Sequence, residues 1–250
     1  MDQPSSFLIL GAGSDFAQAL ANVAAAANCP LILAARDRPR LNALRSTLLR
    51  EGGPQIETHV FDVLATGDHA AFLDQLSFLP DIVVCFVGLL GDQRLAERDF
   101  CDAELILRTN FIGPASILTE VANRMERRGY GAIVGVSSVA GDRGRAENYV
   151  YGAAKAGLTA FLSGLRQRLG RTPIRVVTVK PGLLRTRMTA GEAGLRGMLM
   201  TTPERIVPRL MVACARARGV VYLPWYWRPI MMMMRLIPEP IFRRLESGRR

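Results

Sequence analysis

At 250 residues, 49% hydrophobic and 22% charged, the chain has room for one large domain or two small ones with a substantial core, which excludes disordered and fibrous classes. A net charge of +10 admits an anionic membrane surface, phosphorylated substrates or nucleic acid as partners. No long basic run with interleaved aromatics precedes residue 220, however, so no nucleic acid is expected.

The four cysteines (Cys29, Cys85, Cys101, Cys214) and two histidines (His59, His69) stand at no metal or redox spacing, so free thiols in a cytoplasmic protein and no metal are expected. The opening residues lack the order of a secretory signal.

The first apolar run, residues 7–10, suits a buried parallel strand. It runs into Gly11-Ala12-Gly13-Ser14-Asp15-Phe16-Ala17 and an Ala-rich helix to about residue 28. Strand, glycine turn and helix is an arrangement that lays backbone N–H groups against a pyrophosphate, although such turns also simply tighten a corner. The alternation continues with strands at 31–34 and 56–61, the latter ending at Asp62-Val63, and helices at 39–50 and about 68–78. A fourth strand at 82–87 is closed by Gly88, and a long helix from about 99 to 128 carries a kink at Gly113-Pro114. A strand at 133–136, a helix at 149–169 and a strand at 174–179 ended by Pro181-Gly182 follow. Thr202 caps a helix with Pro203 in its first turn, and a seventh strand spans 220–223. Strands alternating with helices imply an α/β parallel sheet covered on both faces, with no domain break before residue 224.

Within this pattern Ser138 follows a strand, Tyr151 comes thirteen residues later and Lys155 four beyond that. On a helix those last two share a face, so the ammonium can sit beside the phenol, lower its pKa and make Tyr151 a proton donor and acceptor. The same spacing also describes an ordinary amphipathic helix. Only Lys155 and Lys180 are lysines among 32 basic residues, so a chain that otherwise writes Arg has written Lys here.

Taken together, the glycine turn, Asp62, Asn110, Ser138, Tyr151, Lys155 and Pro181-Gly182 resemble the short-chain dehydrogenase/reductase superfamily over about residues 6–223. The resemblance implies a Rossmann-like doubly wound sheet of about seven strands, oxidoreductase chemistry on CH–OH groups, and a likewise homo-oligomeric assembly. It implies that Tyr151 is the acid/base, that Lys155 lowers its pKa and bonds the nicotinamide ribose, and that Ser138 orients the carbonyl. Asn110 would hold a water linking Lys155 to solvent. Gly11, Gly13, Ser14, Asp15, Phe16 and Gly88 would line the cofactor, Asp62 and Val63 would meet the adenine, and Pro181 and Thr186 the carboxamide end. Two departures stand out: Asp15 and Ala17 replace the second and third glycines of the turn, and Cys85-Phe86-Val87-Gly88 replaces a polar strand end. At the end of the second strand, Ala35 followed by Arg36 suits a 2′-phosphate, so NADP(H) is expected over NAD(H), with Asp37 the conflicting signal.

Several stretches, among them Gly88-Leu89-Leu90-Gly91-Asp92, Arg185-Thr186-Arg187-Met188 and Met233-Met234-Arg235, resemble a bacterial subgroup that reduces a keto-pentose carried on a polyprenyl phosphate. That resemblance implies a lipid-linked sugar substrate and a flavin oxidase partner. Residues 224–250 form an amphipathic tail, with six arginines against Glu239 and Glu246 from residue 228 onward. It is too interrupted to span a bilayer. Either it lies on the inner face of the cell membrane, or its methionines pack on the domain or across a dimer. A soluble ketone or 3-oxoacyl substrate, and an inactive dinucleotide-binding partner subunit, are the alternative functions. Substrate choice is expected in residues 188–200 and in the tail.

Overall fold

Seven short strands, the five inner ones buried on both faces and the two edge ones half-buried, pair in parallel because the segments between them are long enough to cross over as helices. The computed structural model describes residues 5–50, 54–189 and 200–247. Its strands are β1 (Phe7–Leu10), β2 (Leu31–Ala35), β3 (Ile56–Val60), β4 (Ile82–Cys85), β5 (Ala132–Val136), β6 (Arg175–Pro181) and β7 (Gly219–Leu223). They form one sheet in the order β3-β2-β1-β4-β5-β6-β7, with every pairing parallel. The order reverses between β1 and β4, and a crevice opens beyond their carboxyl ends, where doubly wound sheets bind ligands.

The helices are α1 (Asp15–Ala26), α2 (Arg38–Arg50), α3 (His69–Asp74), α4 (Gln93–Arg98), α5 (Phe100–Leu107), α6 (Gly113–Arg128), α7 (Tyr149–Arg168), α8 (Pro203–Arg216), α9 (Trp227–Leu236) and α10 (Glu239–Ser247). Alternate strand residues face opposite layers. Ile9, Leu33, Val84, Val134 and Val177 join Leu20 of α1, Leu48 of α2 and Leu210 of α8 in one core. Leu8, Ile32, Val83, Ile133 and Val176 join Phe72 of α3, Ile117 of α6 and Leu162 of α7 in the other. Each fully buried Leu or Ile stabilises the fold by roughly 2 kcal/mol relative to exposure. Gly135 lets α7 approach the sheet, since a Cβ there would lie 2.3 Å from Leu162 Cδ1.

Five local expectations change. The fourth strand stops at Cys85 instead of residue 87, because Leu10 and Gly135 are the last partners that β4 has on either side. Likewise β3 ends at Val60, and α3 is short: a 3-10 turn at Thr66–Asp68 takes its start, and Ser77 beyond it bonds the Glu57 carboxylate of β3. The long helix is three pieces. Between α5 and α6 lies a π-helical turn, Arg108–Ile112, because Pro114 has no N–H to return to the carbonyl of Asn110. Ahead of them, α4 begins where Asp92 accepts hydrogen bonds from Arg94 N at 2.8 Å and Leu95 N at 3.3 Å. Thr202 has extended backbone at the start of α8, but its side chain makes no cap hydrogen bond.

The tail folds back onto the sheet's end. Trp227, Met231 and Phe242 are buried, with Trp227 and Met231 clustering with Val139. The Arg143 guanidinium closes the end of α9, donating to the Met234 carbonyl at 2.7 Å and to Glu239 at 2.9 Å, and lies 4.1 Å from the Phe242 ring centroid. The opposite side of α9 is bare: Met232, Met233 and Leu236 are 63–76% exposed, as is the neighbouring Trp225. One face of the tail therefore packs on the domain and the other is exposed. Among the described residues, no helix is long and apolar enough to cross a membrane.

Candidate active site

β1 delivers the glycine turn to the crevice. Gly11 has φ +81°, and a Cβ on it would lie 2.9 Å from Val87 N, so two chain segments meet there with no room for a side chain. Its N–H bonds the Ala34 carbonyl at 2.8 Å, which ties the turn to β2. Ser14 has extended backbone, and its hydroxyl accepts from Ala17 N at 3.2 Å, capping α1. Ala17 is fully buried against the core, so the replaced third glycine faces the sheet.

The replaced strand end is braced by other means. Phe86 meets Phe16 edge to face with centroids 5.0 Å apart. Asn110, fully buried in the π turn, donates to the Leu89 carbonyl at 2.7 Å and accepts from Leu89 N at 3.1 Å. Its amide also donates to the Ile106 carbonyl at 2.8 Å. Asn110 thus clamps the loop after β4 beside Gly88, whose Cβ would sit 3.1 Å from Asn110 Oδ1 and 3.3 Å from Lys155 Nζ.

Ser138, Tyr151 and Lys155 come together at the amino-terminal half of α7. Two close backbone approaches hold that helix to the turn after β5. A Cβ on Gly141 would lie 2.7 Å from Ala156 N, and one on Gly152 would lie 2.9 Å from the Ala140 carbonyl oxygen. Ser137, which the sequence reading passed over, donates to the Lys155 carbonyl at 2.9 Å and pairs with Thr159 at 2.8 Å. Ser138 Oγ accepts from Ala140 N at 3.1 Å and is hydrogen-bonded to Tyr151.

The electrostatics correct one expectation. Lys155 does not lower the Tyr151 pKa: burial pushes the phenol up to about 12, opposed only by the Ser138 hydrogen bond. The buried ammonium donates to the Val136 carbonyl at 3.1 Å and the Val87 carbonyl at 3.5 Å, and lies 5.8 Å from the Tyr151 ring centroid. Its own burial pulls Lys155 down to about 8, which weakens the charge it can offer.

A cleft of ≈ 770 Å³ joins these parts, within the range of small-molecule and cofactor sites. Gly11, Gly13, Ser14, Asp15, Phe16, Arg36, Val63, Gly88, Tyr151, Lys155, Pro181 and Thr186 all line it. Asp62 is not among the lining residues; it is exposed, and its carboxylate accepts from Leu64 N at 3.0 Å. Asn110, fully buried, and Ser138 are likewise not among the lining residues, although Ser137 and Thr109 beside them are. Asp37 also lines the cleft, beside Arg36, and its carboxylate accepts from Arg40 N at 2.9 Å at the start of α2. The glycine turn and the close approach at Gly88 form a cradle suited to a dinucleotide. Arg40 and Arg187 also line the cleft, and Arg187 was not anticipated as a site residue; an arginine after Thr186 was the available signal. Lys180, the other lysine, lies outside the cleft and is ion-paired with the buried Asp142. Of residues 188–200, positions 190–199 lie outside the described residues.

A family model described as short chain dehydrogenase matches residues 6–194. An uncharacterized oxidoreductase of Mycobacterium tuberculosis is 37% identical over 224 residues, covering 88% of this chain and 89% of that protein. One from Streptomyces coelicolor is 33% identical, covering 97% and 96%. Among solved structures, a short-chain type dehydrogenase/reductase from Mycobacterium ulcerans superposes with a TM-score of 0.78 at 21% identity, covering 88% of each chain. An actinorhodin polyketide ketoreductase with NADPH gives 0.76 at 21% identity, covering 89% of this chain and 97% of that one.

Proposed function

The chain belongs to the short-chain dehydrogenase/reductase family, and from that premise we propose that it reduces the ketone of a keto-sugar carried on a polyprenyl phosphate, with NADPH preferred to NADH. Membership makes it an NAD(P)-dependent oxidoreductase acting on CH–OH groups. When bound, the reduced nicotinamide supplies the hydride that adds to the carbonyl carbon.

The side chains would supply the rest. A Tyr151 hydroxyl pushed up to about 12 is protonated at neutral pH, which suits donation to the oxygen of the ketone as it becomes an alcohol. Ser138, hydrogen-bonded to Tyr151, would orient that oxygen and share its developing charge. Lys155, near 8 and beneath the ring, is poised to restore the proton close to neutral pH. Gly11, Gly13 and Ser14 would receive the pyrophosphate, Val63 the adenine and Thr186 the carboxamide. Arg36, at the end of β2, would take a 2′-phosphate, which favours NADPH.

The observation that carries the lipid-linked substrate is the place of the tail. Trp227 packs on Gly182 at the cleft wall, where a Cβ on the glycine would lie 1.8 Å from Trp227 Nε1. From there α9 presents Met232, Met233 and Leu236 outward, a surface suited to an acyl or polyprenyl chain at the inner face of the cell membrane. A flavin oxidase acting on the same lipid-linked pentose would supply the ketone. Exposed Leu95, Phe100 and Leu105 on α4 and α5 support self-association.

The test is oxidation of NADPH and NADH with a polyprenyl-phospho-keto-pentose, against a simple ketone and a 3-oxoacyl thioester. The lipid-linked ketone should be turned over fastest, and Tyr151→Phe should abolish turnover while cofactor binding persists. Faster turnover of either soluble substrate refutes the lipid-linked reading. Cofactor binding by the wild type with no turnover of any ketone would identify a binding subunit instead.

A further inference from the structure

Asp15 stands at an awkward place for a protein that binds a pyrophosphate. It is the first residue of α1, where unpaired backbone N–H groups and the helix dipole favour an anion. A carboxylate there competes for that favourable field and repels the phosphates by like charge. Its side chain is 27% exposed and lines the cleft, so solvent screens it only in part.

The structure gives that carboxylate a dedicated counter-ion from a distant segment. Arg187, in the strap that leaves β6, reaches back to the glycine turn. Its backbone N–H donates to Asp15 Oδ2 at 2.7 Å, its Nε to Asp15 Oδ1 at 2.6 Å, and its Nη2 to the Gly13 carbonyl at 3.1 Å. The strap is itself fastened: Thr186 N donates to Thr189 Oγ1 at 3.1 Å, and Thr189 Oγ1 bonds the Leu184 carbonyl. Arg40 approaches Gly13 from the other side, its Cδ 3.8 Å from where a Cβ on Gly13 would stand.

We propose that Arg187 is a phosphate-positioning residue: it neutralises Asp15 at the mouth of the glycine turn and presents its remaining guanidinium N–H groups to the cofactor pyrophosphate. A guanidinium has five donors in a fixed fork, and Asp15 with Gly13 engages only the Nε and Nη2 side. The carboxylate then acts as the anchor that aims this fork, and the pair replaces the bare glycine cradle that Asp15 interrupts. Bound phosphates meet a locally neutral or positive site instead of a negative one. The same contact closes the strap across the cleft, so Thr186 and the glycine turn are held at a set separation. The inference rests on the family's dinucleotide site and is independent of the substrate proposed above.

The test is a double-mutant cycle on the full chain, read by cofactor fluorescence titration in the absence of substrate, with NADPH and NADH as probes. Arg187→Gln should weaken binding about 10- to 100-fold at low salt, the range for a lost charged hydrogen bond plus an exposed like charge. The deficit should shrink as salt rises, because it is partly charge repulsion. Adding Asp15→Asn to Arg187→Gln should recover part of the lost affinity but leave the double variant about tenfold weaker than wild type, since the repelling charge is gone while the guanidinium contact with the phosphates stays lost. A merely structural clasp predicts the opposite, with the double variant no better than Arg187→Gln. That outcome, or Arg187→Gln binding within twofold of wild type, overturns the proposal. Arg187→Lys, which keeps the charge and loses the fork, should fall between and guards against misfolding of the Gln variant. A wild type that binds neither cofactor would overturn the dinucleotide site itself, and the inference with it.

Discussion

The stability of the tail hinges on Asp142, and substitution by Asn tests how. Asp142 is completely buried, as is Lys180 at 2% side-chain exposure, and the two are ion-paired. The same carboxylate accepts from the Tyr222 hydroxyl at 2.8 Å and from Arg235 of α9, whose side chain is 50% exposed. In Asp142→Asn the shape is kept, but the Lys180 ammonium is left buried without its charge partner. Breaking a buried pair from one side costs about 3–5 kcal/mol. By contrast, Arg235→Gln removes only a half-exposed partner, which solvent screens, and should cost about 1 kcal/mol or less. Against a total stability of about 5–15 kcal/mol, the first loss is severe and the second minor. Urea unfolding followed by tryptophan fluorescence measures both, since Trp227 is buried beside this cluster. The double variant Asp142→Asn with Lys180→Met should recover most of the loss, because the stranded charge is removed with its partner. If Asp142→Asn costs under 1 kcal/mol, or no more than Arg235→Gln, then the cluster does not hold the tail in the way described.

Two further expectations concern pH and the tail. Lys155, pulled from 10.5 to about 8 by burial, binds fewer protons folded than unfolded between those values, so its cost to stability is full below pH 8 and is relieved as pH rises to about 10.5. The wild type should therefore gain on the order of 3 kcal/mol relative to Lys155→Met across that window, read from urea midpoints; a flat difference would show that Lys155 is not desolvated. Tyr151, raised to about 12, acts oppositely above pH 10, where the unfolded state loses its proton first. For the tail, replacing exposed Met232, Met233 and Leu236 by Ser should leave unfolding midpoints almost unchanged while reducing flotation with anionic phosphatidylglycerol vesicles several-fold. Equal flotation of variant and wild type counts against the membrane surface.

Much of this architecture was legible in the sequence. The inner parallel strands, buried on both faces, read as apolar runs, the half-buried edge strands were visible from their place in the alternation, and that alternation with helices implied the order of layers. The meeting of Tyr151 and Lys155 on one helix face followed from spacing of four residues. Boundaries were less legible, because a strand ends where its neighbours end: Cys85 is the last paired residue of β4, although Phe86 and Val87 are equally apolar. The π turn at Asn110 was foreshadowed by Pro114, whose missing N–H a sequence displays, while the outcome depended on how α5 and α6 pack.

What the sequence by itself determined was the sheet, the glycine turn and the residue types at the reacting centre, since these rest on local period, backbone freedom and spacing. Only the tertiary structure decided the balance of charge. Tyr151 is raised because burial desolvates it while Lys155 turns its donors to two carbonyls. Asp15 is joined to Arg187 across 172 positions of chain, and Asp142 to Arg235 across 93. Desolvation and long-range ion pairing depend on what lies within a few ångströms in space, and nothing in the order of residues along the chain carries that distance.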